Sequence, residues 1–552
     1  MITAIEIENF KGIGETQRIE FAPLTLIFGA NSSGKSTIIH ALHYLREILE
    51  TGNGDVDEVR ATNGELRLGG FANLVHGHDD ESRKIRIRAD FRVIDNDILP
   101  ASIAELKRLT GIDINGPLIQ GVKSIGIEIV VGTHFRPVDG ISHPLVEKVF
   151  LYINGVSLVG SQATGCSWSG DDEGTVANLC SINLEHPAFA RIADKSVASL
   201  IAEKCGYDKQ RFEIDPEEES YGNGVVLDSL GAILTPRSMI TMCSLDDDDT
   251  TTIDDIQDYY RSVLFSRFSQ FFVQVIVDST KHTIRLLSSL GHLGPIREIP
   301  ERSRRFSFKT NSLSWFRGQA AWQCILEENP KVGLMVHKGD MRWRSWELDL
   351  RDLLSAPYVV QRIGIWTTCE NWWTGGDPKG AVQRNLEIVL RDTRTDTLVS
   401  LEDVGVGISQ VIPVIVAAQE QSLPILFVEQ PELHLHPTQQ ATLGDLFASQ
   451  TGRLSRWFEP RVGVHSEERT IVIETHSELL LLRMLRRIRE TNASKIPGDS
   501  SAPRLNSQDL RIYAVESDDE GTKFRCLPIS NSGDLIGGWP EGFFDERMDE
   551  VL

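Results

Sequence analysis

One segment near the N-terminus has the residue types and spacing that bind the phosphates of a nucleotide. Residues 29–36 read GANSSGKS and match the pattern GxxxxGK[ST] in full. The glycines let the backbone curl so that successive N–H groups point at a β-phosphate, and the start of a helix adds positive potential there. The lysine bridges the β- and γ-phosphates, and the next hydroxyl binds Mg²⁺. The segment predicts an ATP site with Ser36 as a magnesium ligand, and its binding residues are Gly29, Asn31, Ser32, Ser33, Gly34, Lys35, Ser36 and Thr37.

A second apolar segment supplies the carboxylate that such a site needs. Residues 425–428 are apolar, and Glu429 follows them directly. An acidic residue at the end of a strand neighbouring the phosphate loop holds Mg²⁺, so Glu429 is the predicted second metal ligand. Gln430 comes next and is suited to orient the attacking water, although it cannot accept the water's proton. Glu432 is the alternative base, provided that the loop turns it back toward the phosphate.

Three histidines lie close to these segments. His434 and His436 have a spacing that offers only two ligands, with no third ligand nearby, so we predict a structural or dimer-contact role for them instead of a zinc site. His476 ends a third apolar segment, residues 470–473. A histidine at that place is positioned to donate a hydrogen bond to the γ-phosphate, and we count His476 with Gln430 and Glu432 as the predicted catalytic residues.

An α/β fold has to position these side chains. The apolar pattern predicts buried strands, each followed by a helix at apolar spacing. The predicted strands are Ile2–Glu8, Arg18–Phe21, Leu24–Phe28, Leu386–Arg391, Thr397–Leu401, Pro424–Val428, Thr470–Ile473 and two short ones beyond residue 510. The predicted helices are Ser36–Leu49, Ser409–Ala418 with Pro413 close to its first turn, and the basic segment Ser477–Arg489.

The order of the motifs predicts how the domains are organised. The nucleotide motifs lie at both ends of the 552-residue chain, so the two ends must fold together as one α/β head. We expect the head to comprise residues 1–90 and 385–490, with a large mixed α+β insertion at 91–384 and a C-terminal tail at 491–552.

Composition limits the setting and the partners. No apolar run is long enough to span a membrane, the N-terminus does not resemble a signal peptide, and the seven cysteines are scattered, which together favour a cytoplasmic protein without a membrane association. The net charge of −23 repels a polyanion at long range, so a nucleic acid would need a local basic patch.

Taken in this order, the motifs resemble those of a known group of ATPases. The phosphate loop, residues 403–410 (DVGVGISQ), residues 429–432 (EQPE) and residues 475–477 (THS) resemble the ABC-type ATPases of the AAA group that are related to SMC, RecF and overcoming-lysogenization (OLD) proteins. The resemblance covers roughly residues 1–90 and 385–490. It implies an ABC/SMC-like P-loop head, the cofactors ATP and Mg²⁺, and pairing of two heads. It also implies that Lys11 lies near the nucleotide, and that a signature loop caps the γ-phosphate of the other protomer through Gly405, Gly407 and Ser409.

The sequence departs from this group at several places. Gln430 stands where the group has a catalytic glutamate, and the signature segment lacks the serine-glycine-glycine-glutamine core. The region expected to hold the Q-loop glutamine offers Asn73 and His76 instead. No long coiled-coil pair is evident, and no nuclease module follows the ATPase part.

Two further segments look like those of a bacterial subgroup found in anti-phage defence. Residues 293–298 (LGPIRE) and 539–545 (WPEGFFD) are similar to segments of the Septu ATPase and of the related ATPase of some retrons. That resemblance implies an HNH nuclease as partner and, for a retron, a reverse transcriptase with its DNA. The predicted function is therefore a slowly hydrolysing ATPase switch that forms a homodimer or higher homo-oligomer through its heads and controls a separate nuclease.

Two other functions stay open at the level of sequence. A RecF-like, DNA-binding ATPase clamp for repair would use basic clusters, whose alternative explanation is a solvated face; the clusters are Arg302, Arg304, Arg305 and Lys309, and Arg483, Arg486, Arg487 and Arg489. A transporter's ATPase subunit is the weaker alternative, because the insertion has no evident design for coupling to a transporter.

Overall fold

The computed structural model describes most of the chain in two compact units. The described residues are 1–78, 83–93, 122–136, 141–169, 172–182, 279–300, 314–327, 342–366, 384–420, 422–451, 469–493, 503–537 and 539. The first unit comprises Met1–Phe21, Ser36–Ser289 and Ser517–Phe524, and the second comprises Ala22–Lys35, Leu290–Glu516 and Arg525–Leu552. The four segments expected from the sequence are thus distributed over both units.

Seventeen strands and seven labelled helices lie within the described part. The strands are β1 (Ile2–Glu8), β2 (Gln17–Glu20), β3 (Leu24–Gly29), β4 (Ile85–Arg92), β5 (Ser124–Arg136), β6 (Ile141–Ile153), β7 (Val156–Ser169), β8 (Asp172–Ile182), β9 (Leu290–Leu293), β10 (Arg342–Asp349), β11 (Tyr358–Trp366), β12 (Arg384–Asp392), β13 (Thr397–Val399), β14 (Ile425–Glu429), β15 (Thr470–Glu474), β16 (Leu510–Asp518) and β17 (Gly521–Cys526). The helices are α1 (Thr37–Thr51), α2 (Phe71–Leu74), α3 (Gln319–Glu327), α4 (Leu350–Leu354), α5 (Val406–Gln419), α6 (Pro437–Ser449) and α7 (Glu478–Asn492).

The first unit contains a seven-stranded antiparallel sheet in the order β2-β1-β4-β5-β6-β7-β8. Apolar residues alternate along β1 and β4 and bury one face, as period-two patterning dictates. The polar face carries charged pairs across the strands: Arg86 contacts Glu6 at 2.8 Å and Glu128 at 2.8 Å. Such cross-strand pairs fix the register of the sheet.

The second unit is built on the sheet that carries the phosphate loop. The strand order is β17-β16-β3-β15-β14-β9, and the five strands from β16 to β9 are parallel. All six residues of β3 are buried, as expected for a parallel strand covered on both faces. A separate antiparallel sheet, β10-β11-β12-β13, includes the predicted hairpin. Chain segments far apart in sequence thus meet in one parallel sheet.

Two details of the predicted arrangement were wrong. Glu429 does not end the strand next to the phosphate-loop strand, because β15 lies between β3 and β14. Helix α5 begins at Val406 and not at Ser409, so Pro413 lies in the helix interior. The helix starts early because Gly407 is helical: a Cβ at Gly407 would come within 2.3 Å of the carbonyl oxygen of His434, so only glycine permits this approach.

No helix in the described residues is both long and apolar enough to cross a membrane.

Candidate nucleotide-binding site

The phosphate loop has the backbone shape that binds anions. Ser32 and Gly34 both have positive φ, 63° and 91°, and such alternation turns consecutive N–H groups toward one concave side. At Gly29, a Cβ would lie 2.5 Å from the carbonyl oxygen of Val515, so the β3–β16 pairing there requires glycine. Ser36 is the N-cap of α1 and Thr37 its first residue, so the loop leads directly into the end of a helix that favours anions.

Lys35 points back into the loop. Its ammonium group donates hydrogen bonds to the carbonyl oxygens of Gly29 at 3.2 Å and Ala30 at 2.7 Å, and it is 3.9 Å from Glu474. Burial lowers the pKa of Lys35, and the nearby carboxylates of Glu474, Glu432 and Glu429 raise it. The ammonium is therefore held at the loop by its own backbone and by three acidic neighbours.

Glu429 lies at the end of β14 beside a buried histidine. Nε2 of His292, in β9, is 2.7 Å from Oε1 of Glu429. Burial lowers the pKa of His292 to about 3, so the ring is neutral at pH 7 and donates its Nε2 proton to the carboxylate. Burial raises the pKa of Glu429 to about 7, although Arg297 and Lys35 act in the opposite direction. The carboxylate is thus oriented by a partner on the adjacent strand.

Arg297 lies in the segment that follows β9 and is only 2% exposed. Its Nη2 donates to the carbonyl oxygens of Glu429 at 2.5 Å and Gln430 at 3.4 Å. Burial lowers its pKa to about 10, while Glu432 and Glu429 raise it, so the guanidinium is charged at neutral pH. The arginine contributes positive charge beside both glutamates.

A cavity of about 600 Å³ brings together several of the predicted residues. Gln430 adopts φ 42° and donates its N–H to the carbonyl oxygen of Glu474 at 2.7 Å. Glu432 turns back, and its Oε1 accepts a 2.7 Å hydrogen bond from the N–H of His476. Nε2 of His476 is buried and has no hydrogen-bond partner among the described residues. The cavity is lined by Asn31, Gln430, Glu432, Leu433, His434, Gln440 and His476.

The predicted signature residues have different surroundings from one another. Ser409 is 1% exposed, and its hydroxyl donates to the carbonyl oxygen of Leu401 at 2.6 Å. Gly407 is buried against His434. Gly405 is exposed, with open space where a Cβ would be, and Val406 is 47% exposed. Only the front of this segment is therefore on the surface of its unit.

Lys11 lies in the first unit, beside the first turn of α1. Its Nζ is 2.7 Å from Nδ1 of His40, and burial lowers its pKa to about 8. The ring of His76 donates from Nδ1 to the carbonyl oxygen of Lys11 at 2.8 Å. The predicted approach of Lys11 to the nucleotide stays a prediction.

The basic residues of α7 are paired with acids. Arg483 and Arg487 contact Asp445 at 2.8 and 2.6 Å, and Arg486 contacts Glu490 at 2.7 Å. Arg489 contacts Asp534 at 3.4 Å. The other basic cluster, residues 302–309, lies outside the described residues. His436 caps the start of α6 by accepting from the N–H of Thr438, in agreement with a structural role.

Sequence reasoning missed three members of this site. His292, Arg297 and Glu474 lie near the phosphate loop or Glu429 because of the sheet order, and no motif includes them as ligands. The available signal was position: Glu474 directly precedes the Thr475–Ser477 segment, and Arg297 lies in the LGPIRE segment.

Comparison with known proteins identifies the class of enzyme. A family model described as an AAA ATPase domain matches residues 1–214, which include the phosphate loop. A second, described as an AAA domain, putative AbiEii toxin, Type IV TA system, matches residues 261–483, which include Glu429 and His476. The chain is a P-loop ATPase of the AAA, SMC-like type. The AAA matches toward both ends, with the parallel sheet that joins these ends, confirm the predicted fold class of this ATPase.

Solved structures similar to the ATPase include SMC heads. The SMC head domain from Thermotoga maritima has 9% identity and a TM-score of 0.31, with 96% of this chain and 99% of that chain covered. The Smc head domain with an extended coiled coil bound to the C-terminal domain of ScpA, derived from Pyrococcus furiosus, has 11% identity and a TM-score of 0.34, with 96% of each chain covered. The RecF–ATP structure has 18% identity and a TM-score of 0.15, with 28% and 27% covered. Scores this low carry no argument about function. No curated protein matches the sequence.

Proposed function

We propose that this ATPase binds ATP with Mg²⁺ at the phosphate loop. The observation that carries the proposal is the arrangement around Lys35: a buried ammonium inside an anion-binding loop, with Glu429, Glu432 and Glu474 close enough to raise its pKa. Hydroxyl and carboxylate oxygens are the protein ligands that Mg²⁺ prefers, and Ser36 and Glu429 supply them. The His292 contact supports this fit, because a neutral imidazole that donates to a carboxylate keeps its other oxygen available. Bound Mg²⁺ would neutralise charge on the phosphates.

We further propose that hydrolysis is slow. Gln430 lines the cavity where a water would approach the γ-phosphate, and its amide orients the water without accepting a proton. Glu432 lines the same cavity, but one of its oxygens already holds the backbone of His476. Its role is therefore to position His476, whose Nε2 donates to the γ-phosphate. Without a carboxylate at the position of Gln430, the ATP-bound state persists.

Pairing of two copies is the third part of the proposal. Gly405 and Val406 form an exposed front at the start of α5, where helix N–H groups favour an anion. A second copy would place this front against the nucleotide of the first. Ser409 would support the front from inside and would not contact the nucleotide, because it is buried.

Control of a separate nuclease in antiviral defence is supported by sequence resemblance alone, at residues 293–298 and 539–545. The test is copurification of the intact chain with its natural neighbours, in the presence of ATP and of ADP. A nuclease retained with ATP would support the assignment, and a chain that stays without any partner in both nucleotides would contradict it. We do not carry the DNA clamp forward, because the arginines of α7 are engaged with Asp445, Glu490 and Asp534.

The experiment that tests the ATP site compares wild type with Lys35→Ala. Equilibrium binding of ATP with Mg²⁺ should be lost in the variant, while the melting temperature without nucleotide changes little. Equal ATP affinity in the two proteins would refute the site.

A further inference from the structure

The largest fully buried side chain of the described residues is that of Arg297. It follows β9 and reaches across to the end of β14. Its Nη2 donates to the carbonyl oxygens of Glu429 and Gln430, the two residues at which the strand gives way to the cavity-lining turn. The guanidinium thus acts on the backbone of the turn and not on its side chains.

A glutamine of α5 fixes the position of Arg297. The side-chain oxygen of Gln410 accepts the backbone N–H of Arg297 at 2.9 Å, and its side-chain amide donates to the backbone carbonyl of Arg297. Both partners are buried. Gln410 lies on the helix whose start is the exposed front, Gly405 and Val406. The turn after β14 and the start of α5 are therefore connected through one arginine.

Two atoms of Arg297 indicate that it is more than a filler of the core. Nε and Nη1 are buried without a hydrogen-bond partner among the described residues. Unmet buried donors are costly, and an apolar side chain would avoid the cost. A second buried arginine of the unit, Arg469, differs: its Nε, Nη1 and Nη2 donate to the carbonyl oxygens of Leu423, Ala418 and Ala417, and so complete the end of α5.

The turn that Arg297 contacts needs outside support. Gln430 has φ 42°, a backbone conformation that side-chain-bearing residues rarely adopt and that persists when neighbours hold it. Its N–H is fixed by the carbonyl oxygen of Glu474, and its carbonyl oxygen accepts from Arg297 and from the N–H of Leu433. Arg297 therefore closes one side of a turn whose conformation determines where the Gln430 amide points.

We propose that Arg297, held by Gln410, is a positioning residue for hydrolysis that fixes the Gln430 turn and couples it to the start of α5. This inference rests on the proposed ATP site. When the γ-phosphate and its water engage Gln430, the arginine transmits the position of the turn to α5. Loss of the connection leaves ATP binding intact, because the phosphate loop makes no contact with Arg297 among its hydrogen bonds given above.

The experiment uses the full-length protein with four substitutions. Arg297→Met removes the charge and the donors, and Arg297→Lys keeps the charge but loses the planar fork. Gln410→Leu keeps the volume and removes both bonds to the backbone of Arg297. Arg469→Lys is the matched control, a buried arginine of the same unit that touches no cavity residue. For each variant, ATP affinity, single-turnover hydrolysis and the melting temperature are measured.

We expect Arg297→Met and Gln410→Leu to slow single-turnover hydrolysis by about 10- to 100-fold, the cost of a small misplacement near the chemistry. Their ATP dissociation constants should stay within about threefold of wild type, which is a purely catalytic loss. Arg297→Lys should give an intermediate rate. Arg469→Lys should lower the melting temperature and leave the rate per folded molecule unchanged.

Unchanged hydrolysis in folded Arg297→Met and Gln410→Leu would overturn the inference and leave the ATP site standing. Hydrolysis and ATP affinity that fall together in proportion, with Arg469→Lys behaving alike, would assign Arg297 to folding alone and also overturn it. A wild-type chain that binds no ATP would instead refute the proposed function, and with it the basis of this inference.

Discussion

Glu432 and His476 are joined by a 2.7 Å hydrogen bond, in which the backbone N–H of His476 donates to a carboxylate oxygen of Glu432. The two residues are 44 positions apart in sequence, and each follows a different strand of the parallel sheet. The bond holds the loops after β14 and β15 together around one cavity. It also engages the carboxylate that sequence reasoning offers as an alternative base.

This bond predicts different effects for two substitutions of Glu432. Glu432→Gln keeps an oxygen that accepts from His476, so the free energy of unfolding should change by less than about 1 kcal/mol. Glu432→Ala leaves a buried N–H without its acceptor and should cost about 1–3 kcal/mol. Urea denaturation without nucleotide measures both. Equal stability of the two variants would show that the hydrogen bond contributes nothing.

The exposed front of α5 predicts that pairing depends on Val406. Val406→Arg places a charge on a surface position, so the melting temperature should stay within a few degrees while ATP-dependent dimerisation is lost. Light scattering with ATP and with ADP measures the assembly. Leu398→Arg is the control, because Leu398 is a similarly exposed apolar residue of the same unit, at 40% against 47%. Dimerisation that survives Val406→Arg, or is lost equally in Leu398→Arg, would exclude a specific role for the front.

Ser409 should behave in the opposite way. Its hydroxyl donates to the carbonyl of Leu401 inside the unit, so Ser409→Ala should cost about 1–2 kcal/mol of stability, the usual cost of losing a buried hydrogen bond. ATP-dependent dimerisation of the folded variant should be preserved. A stable Ser409→Ala protein that fails to dimerise with ATP would place the hydroxyl at the nucleotide instead.

The contact between His292 and Glu429 predicts a change in magnesium dependence. His292→Leu removes the donor that orients the carboxylate, and loss of such a support typically weakens metal affinity by about 10- to 100-fold. ATP binding titrated with Mg²⁺ should then require correspondingly more metal, whereas His292→Gln, whose amide can still donate, should lie closer to wild type. An unchanged Mg²⁺ requirement in His292→Leu would argue against Glu429 as a ligand.

Local patterns were sufficient to predict the phosphate loop and its flanking elements. The loop joins a fully buried strand, β3, to α1, and each of these elements has its own periodicity, so the sequence around Lys35 determines its own structure. The helix capped by Ser477 and the hairpin β12–β13 were predicted for the same reason. These features depend on interactions between residues that are close in sequence.

The remainder of the site could not be predicted, because it depends on the order of strands. His292 reaches Glu429 only because β9 is the neighbour of β14, and Glu474 lies near Lys35 only because β15 separates β14 from β3. Arg297 and Gln410 are 113 residues apart and share no local pattern. Pro413 was expected near a helix start, where proline is best tolerated, but tertiary packing places the start of α5 earlier.

Single-turnover hydrolysis of ATP tests the central claim most directly, with wild type, Gln430→Glu and Glu432→Gln compared at equal folded fraction. A positioned general base typically contributes on the order of 10²–10⁴ in rate. Wild type should therefore be slow, Gln430→Glu should be faster with a shorter-lived ATP-bound assembly, and Glu432→Gln should resemble wild type. Wild-type turnover of roughly 10 per second, a typical enzyme rate, that collapses in Glu432→Gln would contradict the account, because Glu432 would then be the working base.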